Sequence, residues 1–350
     1  MGRNLLRGVY IRIFPIIAMA VAVSMLVSGC GFLSGGQYSR TYLDVFDTVT
    51  TVTGIAQSQA QFQSEAAKIH DELVFYHRLF DIYNEYDGIV NLKTVNEYAA
   101  TAPVKVDPAI IALLKDCQYY DSLTGGKVNV AMGSVLKLWH EARTAGLKDP
   151  ENARLPDAQM LDHAAKHMDL DNVILDEAAS TVYFADPELS LDVGAIAKGW
   201  AAQKVAQNAP KGLLINVGGN ICATGPKKTD GTPWIIGIQD PDGGNKTLHT
   251  LRITGGAVVT SGDYQRTYKV DGVSYHHIID PQTLTSARYW RSVTVMCGDS
   301  ALADALSTAL FLMPLEEGKN LAQRCGAEAF WVDASGQESM TSGFRDAISQ

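Results

Sequence analysis

The segment Leu191-Asp-Val-Gly-Ala-Ile-Ala-Lys-Gly-Trp200 places an acidic side chain, a glycine turn and a lysine close together at the start of a helix. Gly194 permits a tight turn after a strand that ends at Asp192, and residues Ala195–Ala209 favour a helix that the next proline stops. Lys198 lies in the first helical turn, where free N–H groups and the helix dipole favour an anion. The segment predicts a phosphate-binding junction, although an ordinary strand-turn-helix connection has the same pattern.

A second polar group lies on a helix, predicted over Ser300–Met313, that is otherwise apolar or small. Asp304 and Thr308 are four residues apart and therefore share one helix face. A buried carboxylate must be paired, protonated or bound to a metal, and carboxylate and hydroxyl oxygens suit Mg²⁺ better than a softer ion. The alternative is structural: Asp304 bonds to the backbone and Thr308 bonds back to its own helix.

A third group is the segment His276-His-Ile-Ile-Asp-Pro281, which follows Val259-Thr-Ser-Gly-Asp-Tyr-Gln-Arg266. A histidine and an aspartate three residues apart can act as a base and its orienting partner, here His277 and Asp280. Adjacent histidines on a strand point to opposite faces, so only one of them faces a shared site. A purely structural role for the pair has the same sequence pattern.

Paired glycines occur in Ile215-Asn-Val-Gly-Gly-Asn-Ile221, within a stretch that reads as a strand. Glycine in a strand allows the close approach of a ligand or of another backbone, and it also marks β-bulges. The pattern leaves both interpretations open.

The elements that position these groups are helices and short strands that alternate poorly, which predicts an α+β domain with mixed, mostly antiparallel strands. Helical patterns cover Gln59–Phe80, Asp107–Thr124 and Leu155–His167. Strand-like patterns cover Thr41–Ala56, Val173–Asp176, Thr181–Phe184, Gly212–Thr224, Trp234–Gln239, Thr247–Ile253, Ala257–Ser261, Tyr264–Ile279, Ser292–Met296 and Glu328–Asp333. A hairpin turn is predicted at Asp271-Gly272, within the range Tyr264–Ile279. No linker after residue 40 separates independent units, so residues 41–350 are predicted to form one domain.

The N-terminus carries a basic lead with three arginines, an apolar core over Ile13–Val27 and the sequence Val27-Ser-Gly-Cys30. It resembles a bacterial lipoprotein signal peptide with its lipobox. The resemblance implies that residues 1–29 are removed, that Cys30 carries lipid and that residues 30–40 tether the domain to the exported face of a membrane. An uncleaved membrane-spanning helix is the alternative.

Charge and cysteine content exclude some classes of protein. Removal of the three N-terminal arginines changes the net charge from −9 to −12, and an acidic chain has no electrostatic basis for binding nucleic acid. The cysteines after the anchor show no C-x-x-C pair and no metal-like spacing to histidine, so they do not predict zinc. Apolar neighbours suggest buried thiols, although an exported chain can oxidise a pair. These cysteines are Cys117, Cys222, Cys297 and Cys325.

Taken together, the motifs resemble those of the ApbE family of FAD:protein FMN transferases. The matching segments are D-x-G-A-I-A-K-G from Asp192, N-x-G-G-N from Asn216, T-S-G-x-Y from Thr260, H-I-I-D-P from His277 and A-D-A-x-S-T-A from Ala303. The resemblance extends from about Val45 to Met313. It implies a single compact α+β unit related to the T-fold.

The resemblance also assigns roles to individual residues. It implies that Asp192 and Lys198 contact FAD, and that the Ala195 carbonyl, Asp304 and Thr308 hold Mg²⁺. Further cofactor contacts are implied for Phe46, which stands in the place of a methionine, for the aromatic Tyr83, for Lys127, Val128 and Asn129, and for Thr283 in H-I-I-D-P-x-T. Leu284 replaces the family's glycine at the next position, which changes the local turn.

The resulting hypothesis is Mg²⁺-dependent transfer of FMN from FAD to a Ser or Thr hydroxyl of an exported or membrane flavoprotein, with release of AMP. His277 is the candidate general base, and Asp280 is its orienter or the alternative base. The same site with water as the attacking group gives an FAD pyrophosphatase. A flavin-binding lipoprotein without catalysis is the rival from another class.

Overall fold

The computed structural model describes residues 35–244 and 246–349. The predicted signal peptide over residues 1–29 and the predicted lipidation site Cys30 lie outside this range. No helix in the described part of the chain combines the length and the apolar character needed to cross a bilayer.

Helices and strands alternate irregularly along the described chain. The helices are α1 (Gln59–Phe80), α2 (Leu92–Tyr98), α3 (Pro108–Thr124), α4 (Gly133–Lys148), α5 (Ala158–Ala164), α6 (Ala197–Asn208), α7 (Ser300–Phe311), α8 (Leu315–Arg324) and α9 (Ser342–Ala347). The strands are β1 (Gly36–Val45), β2 (Thr48–Ala56), β3 (Val104–Lys105), β4 (Val173–Asp176), β5 (Thr181–Phe184), β6 (Leu213–Val217), β7 (Asn220–Ala223), β8 (Trp234–Gln239), β9 (Thr247–Ile253), β10 (Gly256–Gly262), β11 (Tyr268–Val270), β12 (Val273–Tyr275), β13 (Ser292–Cys297), β14 (Glu328–Val332) and β15 (Glu338–Met340).

A central eight-stranded sheet has the order β1-β2-β6-β7-β10-β13-β14-β15, and its neighbouring strands are all antiparallel. Strands β3, β5 and β4 form a small separate sheet, and β8–β9 and β11–β12 are hairpins. The predicted α+β class with mostly antiparallel strands is confirmed.

The two faces of the central sheet are covered differently. On β10, Ala257 and Val259 point into the core that contains α6 and α7, whereas Val258 points to the opposite face, as the two-residue period of a strand requires. That opposite face is covered by the β8–β9 hairpin and by Phe344 of α9. Helix α7 is therefore buried within the domain, and its polar residues need partners there.

The N-terminal part of the domain differs from the prediction. Residues Gly36–Arg40 were predicted as part of the tether, but they pair with β2 as the first half of β1. The predicted single strand over Thr41–Ala56 is instead a hairpin that turns at Phe46 and Asp47, whose φ angles are 53° and 51°. Two consecutive residues with positive φ make the turn type that fits the twist of a hairpin.

The paired glycines form a hairpin turn and not a bulge. Gly218 and Gly219 have φ angles of 59° and 94° and connect β6 to β7. A Cβ on Gly218 would lie 2.3 Å from Oγ1 of Thr48, so the close neighbour of this glycine is a side chain of β2, whereas the sequence predicted a ligand or another backbone. The Asp271-Gly272 turn between β11 and β12 is confirmed.

Candidate active site

A cleft with a cavity volume of about 350 Å³ opens where the β1–β2 turn, the start of α6, the end of β10 and helix α7 meet. Most of the site residues predicted from the sequence line this cleft. They are Tyr83, Lys127, Val128, Asn129, Asp192, Ala195, Lys198, His277, Asp304 and Thr308. Phe46, Asp280 and Thr283 are not among the lining residues.

The turn before α6 holds its acidic and basic side chains by local hydrogen bonds. Oδ1 of Asp192 accepts from the Gly194 N–H at 2.8 Å, and Nζ of Lys198 donates to the Gly194 carbonyl at 3.0 Å. The backbone N–H of Asp192 donates to the Val130 carbonyl at 2.8 Å, which ties this turn to the loop before α4. Helix α6 begins at Ala197, two residues later than predicted.

Asp304 is the buried carboxylate of the cleft. Its Oδ2 accepts from the backbone N–H of Gly199 at 2.8 Å and lies 3.8 Å from Nζ of Lys198. Burial raises the pKa of Asp304, and the Lys198 ammonium and the Gly199 N–H oppose this rise. A carboxylate held in this way has a strong tendency to recruit a further cation.

Gly199 sets the distance between α6 and α7. A Cβ at this position would lie 2.4 Å from Cβ of Asp304 and 2.4 Å from the Ser300 carbonyl oxygen. We expect Gly199→Ala to force the helices apart, to cost about 1–3 kcal/mol of unfolding free energy and to displace Asp304. Urea unfolding measures the loss of unfolding free energy.

The matched control for this substitution is Gly318→Ala on α8, where the nearest heavy atom is 3.3 Å from the added methyl group. The control is expected to unfold close to the wild-type midpoint. Equal stability of Gly199→Ala and the wild type would contradict the assigned role of Gly199.

The carbonyl of Ala195 is available to a ligand. Ala195 lies two residues before the start of α6, so its carbonyl is outside the hydrogen-bond ladder of the helix, and the free first-turn N–H of Gly199 donates to Asp304. Within residues 35–244 and 246–349, no backbone N–H donates to the Ala195 oxygen. The cleft thus offers a main-chain oxygen, the Asp304 carboxylate and the hydroxyl of half-buried Thr308, an all-oxygen set that fits Mg²⁺.

His276 and His277 follow the end of β12 at Tyr275, so they lie outside the strand on which they were predicted, and both are among the residues that line the cleft. His276 is buried, with its Nε2 donating to the Ala287 carbonyl at 2.8 Å and its Nδ1 accepting from the Ile278 N–H at 3.2 Å. His277 faces the cleft, and its Nδ1 lies 3.3 Å from the Gln265 carbonyl. Donation from Nδ1–H to this carbonyl leaves Nε2 as a free proton acceptor.

The ring of His277 meets water on the cleft side and is enclosed by protein on the others. This enclosure, followed by the positive charge of Arg266, lowers the pKa of His277 to about 3. The imidazole is therefore neutral at physiological pH, which is the protonation state that a general base requires.

Asp280 does not orient His277 in this structure. The buried carboxylate lies 3.3 Å from Nζ of Lys127, and its Oδ1 accepts from the Gln282 N–H at 2.7 Å. The Gln265 carbonyl takes the orienting position instead. The suggestion that Asp280 is an alternative base stays a prediction.

The turn after Asp280 forms although Leu284 stands where the family has glycine. Leu284 has a φ angle of 56°, which costs a non-glycine residue roughly 1–2 kcal/mol. Its N–H donates to the Asp280 carbonyl at 2.8 Å, and its own carbonyl accepts from Nε1 of Trp139 at 2.9 Å. Thr283 is exposed on this turn, away from the residues that line the cleft.

Phe46 packs against the hydrophobic core and is not among the residues that line the cleft. Its ring packs edge-on against His77 with a centroid separation of 5.5 Å, and it contacts the hydrophobic core. The next residues in the hairpin turn, Asp47 and Thr48, line the cleft in its place.

The cleft also contains side chains that the sequence did not single out. Arg143 and His140 come from α4, a helix that was not predicted, and Arg266 follows the T-S-G-x-Y segment. The ring of His140 lies 5.5 Å from that of Tyr83, and Tyr83 is 57% exposed at the cleft mouth. The apolar positions of α4, spaced four residues apart at Val135 and Trp139, were the available signal for this helix.

The antiparallel α+β fold and a cleft that joins oxygen ligands to cationic side chains define an enzyme that acts on a phosphate-bearing ligand. The family model described as "ApbE family" matches residues 46–331. The chain belongs to the ApbE family.

Characterised relatives extend over most of the chain. A Treponema pallidum protein named FAD:protein FMN transferase is 32% identical over 95% of this chain and 94% of its own length. A Klebsiella pneumoniae protein with the same name is 31% identical over 75% of this chain and 83% of its own length. The crystal structure of the ApbE protein from Thermotoga maritima superposes with a TM-score of 0.79 at 29% identity, covering 90% of this chain and 100% of that chain.

Proposed function

We propose that this enzyme uses Mg²⁺ to transfer FMN from FAD to a Ser or Thr hydroxyl of an acceptor protein, with release of AMP. Transfer of FMN from FAD to a protein is the activity that its relatives are named for. The observation that carries the proposal is that Ala195, Asp304 and Thr308 line the same cleft as Lys198 and a neutral His277.

In the proposed reaction the acceptor hydroxyl oxygen attacks the phosphorus on the FMN side of the diphosphate. A phosphoester bond forms, the diphosphate bridge breaks and AMP leaves with the bridging oxygen. The hydroxyl proton passes to Nε2 of His277, whose Nδ1 is fixed by the Gln265 carbonyl. Such a reaction is accelerated chiefly by positioning and charge stabilisation.

The chain supplies the charge complement of the diphosphate. Lys198, Arg143 and Arg266 all line the cleft, and Lys198 stands in the first turn of α6, where the helix dipole adds to its charge. Ala195, Asp304 and Thr308 would hold Mg²⁺, which when bound supplies further positive charge beside the phosphates. At the mouth, the exposed ring of Tyr83 offers an aromatic face for stacking.

The rival reaction with water as the attacking group has one observation in its favour. His277 is exposed to solvent in the cleft, so water reaches the base when no acceptor protein covers it. FAD hydrolysis to FMN and AMP is then a side reaction of the same site. A lipoprotein that only binds flavin does not require a free base such as His277 in the same cleft as the proposed metal ligands.

Mass spectrometry of a candidate acceptor flavoprotein, after incubation with the enzyme, FAD and Mg²⁺, tests the proposal. We expect a covalent FMN adduct on a Ser or Thr residue, and no adduct without Mg²⁺ or with that residue changed to alanine. Free FMN as the only product would favour the pyrophosphatase. Bound FAD without any product would favour the non-catalytic lipoprotein.

We also propose that lipid on Cys30 holds the domain on the exported face of the cell membrane, where exported or membrane flavoproteins are its acceptors. The lipobox-like sequence Val27-Ser-Gly-Cys30 supports this location. We expect Cys30→Ala to move the protein from the membrane fraction to the soluble fraction or to block its maturation. Unchanged membrane retention of a fully processed Cys30→Ala protein would contradict the anchor.

A further inference from the structure

A cluster of metal-ligating side chains lies outside the cleft. It consists of His163 in α5, His167 at the end of the following 3₁₀ turn and Glu188 in the segment that leads to the Asp192 turn. One ligand atom from each residue lies within 4.8 Å of the others. The four-residue spacing of the histidines places both imidazoles on one face, with ring centroids 5.2 Å apart.

The carboxylate of Glu188 stands between the two imidazoles. Nδ1 of His163 lies 3.6 Å from Oε2 of Glu188, and Nε2 of His167 lies 3.7 Å from Oε1. In a tetrahedral zinc site with bonds of about 2.0–2.1 Å, neighbouring ligand atoms are roughly 3.3–3.4 Å apart. Small side-chain rotations therefore bring these three groups to coordination distance.

Asp186 fixes the orientation of His167 from behind. Nδ1 of His167 lies 2.9 Å from Oδ2 of Asp186, so Nδ1–H donates to this carboxylate and Nε2 directs its lone pair towards Glu188. Asp186 is held in turn by the Glu188 N–H, which donates to its Oδ1 at 2.9 Å. A carboxylate behind a metal-binding histidine is the usual outer-shell arrangement of zinc sites.

A separate cavity of about 420 Å³ adjoins the cluster. Its walls include the three ligating residues together with Ser134, Asp157 and Met160. The side chains of His163 and Glu188 are 59% and 57% exposed. Space for a water molecule or a small ligand at a fourth position is therefore present, as in zinc sites that keep an open coordination position.

We propose that His163, His167 and Glu188 form a second metal site for Zn²⁺ or a similar transition-metal ion, with water as the fourth ligand. Two imidazoles and one carboxylate suit zinc and its neighbours, whereas Mg²⁺ takes oxygen ligands. The site is independent of the proposed Mg²⁺ site and of the flavin chemistry.

The position of the site indicates a structural role for the metal. The Met168 carbonyl, next to His167, accepts from Nδ2 of Asn129, a residue that lines the cleft. The Glu188 carbonyl accepts from Oγ of Ser134 at 2.9 Å. A metal that joins His163 and His167 to Glu188 therefore ties α5 to the segment that carries Asp192 and stiffens one wall of the cleft.

Calorimetric titration of the mature protein with ZnCl₂, in excess Mg²⁺ to occupy the oxygen-ligand site, tests this proposal. We expect one zinc site in the wild type, a higher melting temperature with zinc, and loss of both in His163→Ala and His167→Ala. Asp186→Asn should weaken zinc binding roughly 10- to 100-fold. The control His249→Ala, which removes a histidine that pairs with Glu338, should bind zinc as the wild type does.

Cobalt gives a second readout that does not depend on activity. Co²⁺ bound to the wild type is expected to show visible absorption of tetrahedral intensity, and this absorption should be absent from the Glu188→Gln variant. Zinc binding that is unchanged in all three ligand variants would locate zinc elsewhere and overturn the proposal. Absence of any zinc binding to the wild type would also overturn it. Flavin transfer can succeed or fail independently of both results.

Discussion

Asp304→Asn is expected to reduce flavin transfer by roughly 10³-fold or more. The substitution keeps the shape of the side chain but removes the charged oxygen that accepts from Gly199 and faces Lys198. The amide is a far weaker Mg²⁺ ligand than the carboxylate. Formation of covalent FMN on the acceptor protein, followed over time, measures this effect.

The same substitution is expected to stabilise the protein in the absence of Mg²⁺. Because burial raises the pKa of Asp304, the folded state binds its proton more tightly than the unfolded state does. The stability that this protonation contributes is present at low pH and is lost as the pH rises through the raised pKa. Above the ordinary pKa of a carboxyl group, the buried Asp304 therefore destabilises the metal-free fold, and the neutral asparagine removes this cost.

The control for Asp304 is Asp116→Asn. Asp116 accepts a hydrogen bond from Nε1 of Trp200 at 2.7 Å and is not among the residues that line the cleft. The amide oxygen of asparagine can accept the same hydrogen bond. We expect this variant to transfer flavin at the wild-type rate. Normal Mg²⁺-dependent transfer by Asp304→Asn, or a lower melting temperature than the wild type without metal, would contradict the assignment of Asp304.

His277→Ala is expected to lower the rate of transfer by roughly 10²- to 10⁴-fold, because it removes the group that accepts the hydroxyl proton. His277→Asn separates the two functions of the ring. Its amide can still donate to the Gln265 carbonyl, as Nδ1–H does, but it has no basic nitrogen. We expect both variants to be equally slow, with partial recovery of the alanine variant in added imidazole.

The expected pH dependence of transfer rests on two of the cleft groups with shifted pKa values, His277 and Asp304. His277, with a pKa of about 3, is neutral above that value and does not limit kcat/KM near neutrality. Asp304, with its raised pKa, must lose its proton to bind Mg²⁺, so kcat/KM should fall as the pH drops through that pKa. The positive charge of Arg266 helps to lower the pKa of His277. A diphosphate bound beside Arg266 would offset this positive charge, so the pKa of His277 should rise.

NMR titration of His277 with and without FAD measures this change. A pKa that does not rise on binding would argue against contact between the diphosphate and the cations around His277. If His277→Ala transfers flavin at the normal rate across the pH range, the role of His277 as a base is excluded.

Local sequence was sufficient where neighbouring residues decide the conformation. The start of α3 was predicted from Asp107-Pro108, and Asp107 does accept from the Ala109 N–H at 2.8 Å. The α+β class followed from sequence patterns, and sequence patterns and family resemblance together identified ten of the residues that line the cleft.

Long-range contacts decided what the sequence left open. The pairing of Asp280 with Lys127 joins residues that are 153 positions apart, and the orienting bond from His277 goes to Gln265 in place of Asp280. The cysteine spacing does not predict zinc, and the cluster of His163, His167 and Glu188 could not be predicted from the sequence because folding brings Glu188 to the two histidines.

The sequence by itself determined which side chains are available, their spacing along each helix and strand, and where the turns fall, because these depend on backbone sterics within a few residues. Only the tertiary structure decided that the Gly199 N–H donates to Asp304, because this requires α6 and α7 to pack in contact. The candidate metal ligands of the cleft are thus present in the sequence, but packing makes them available together.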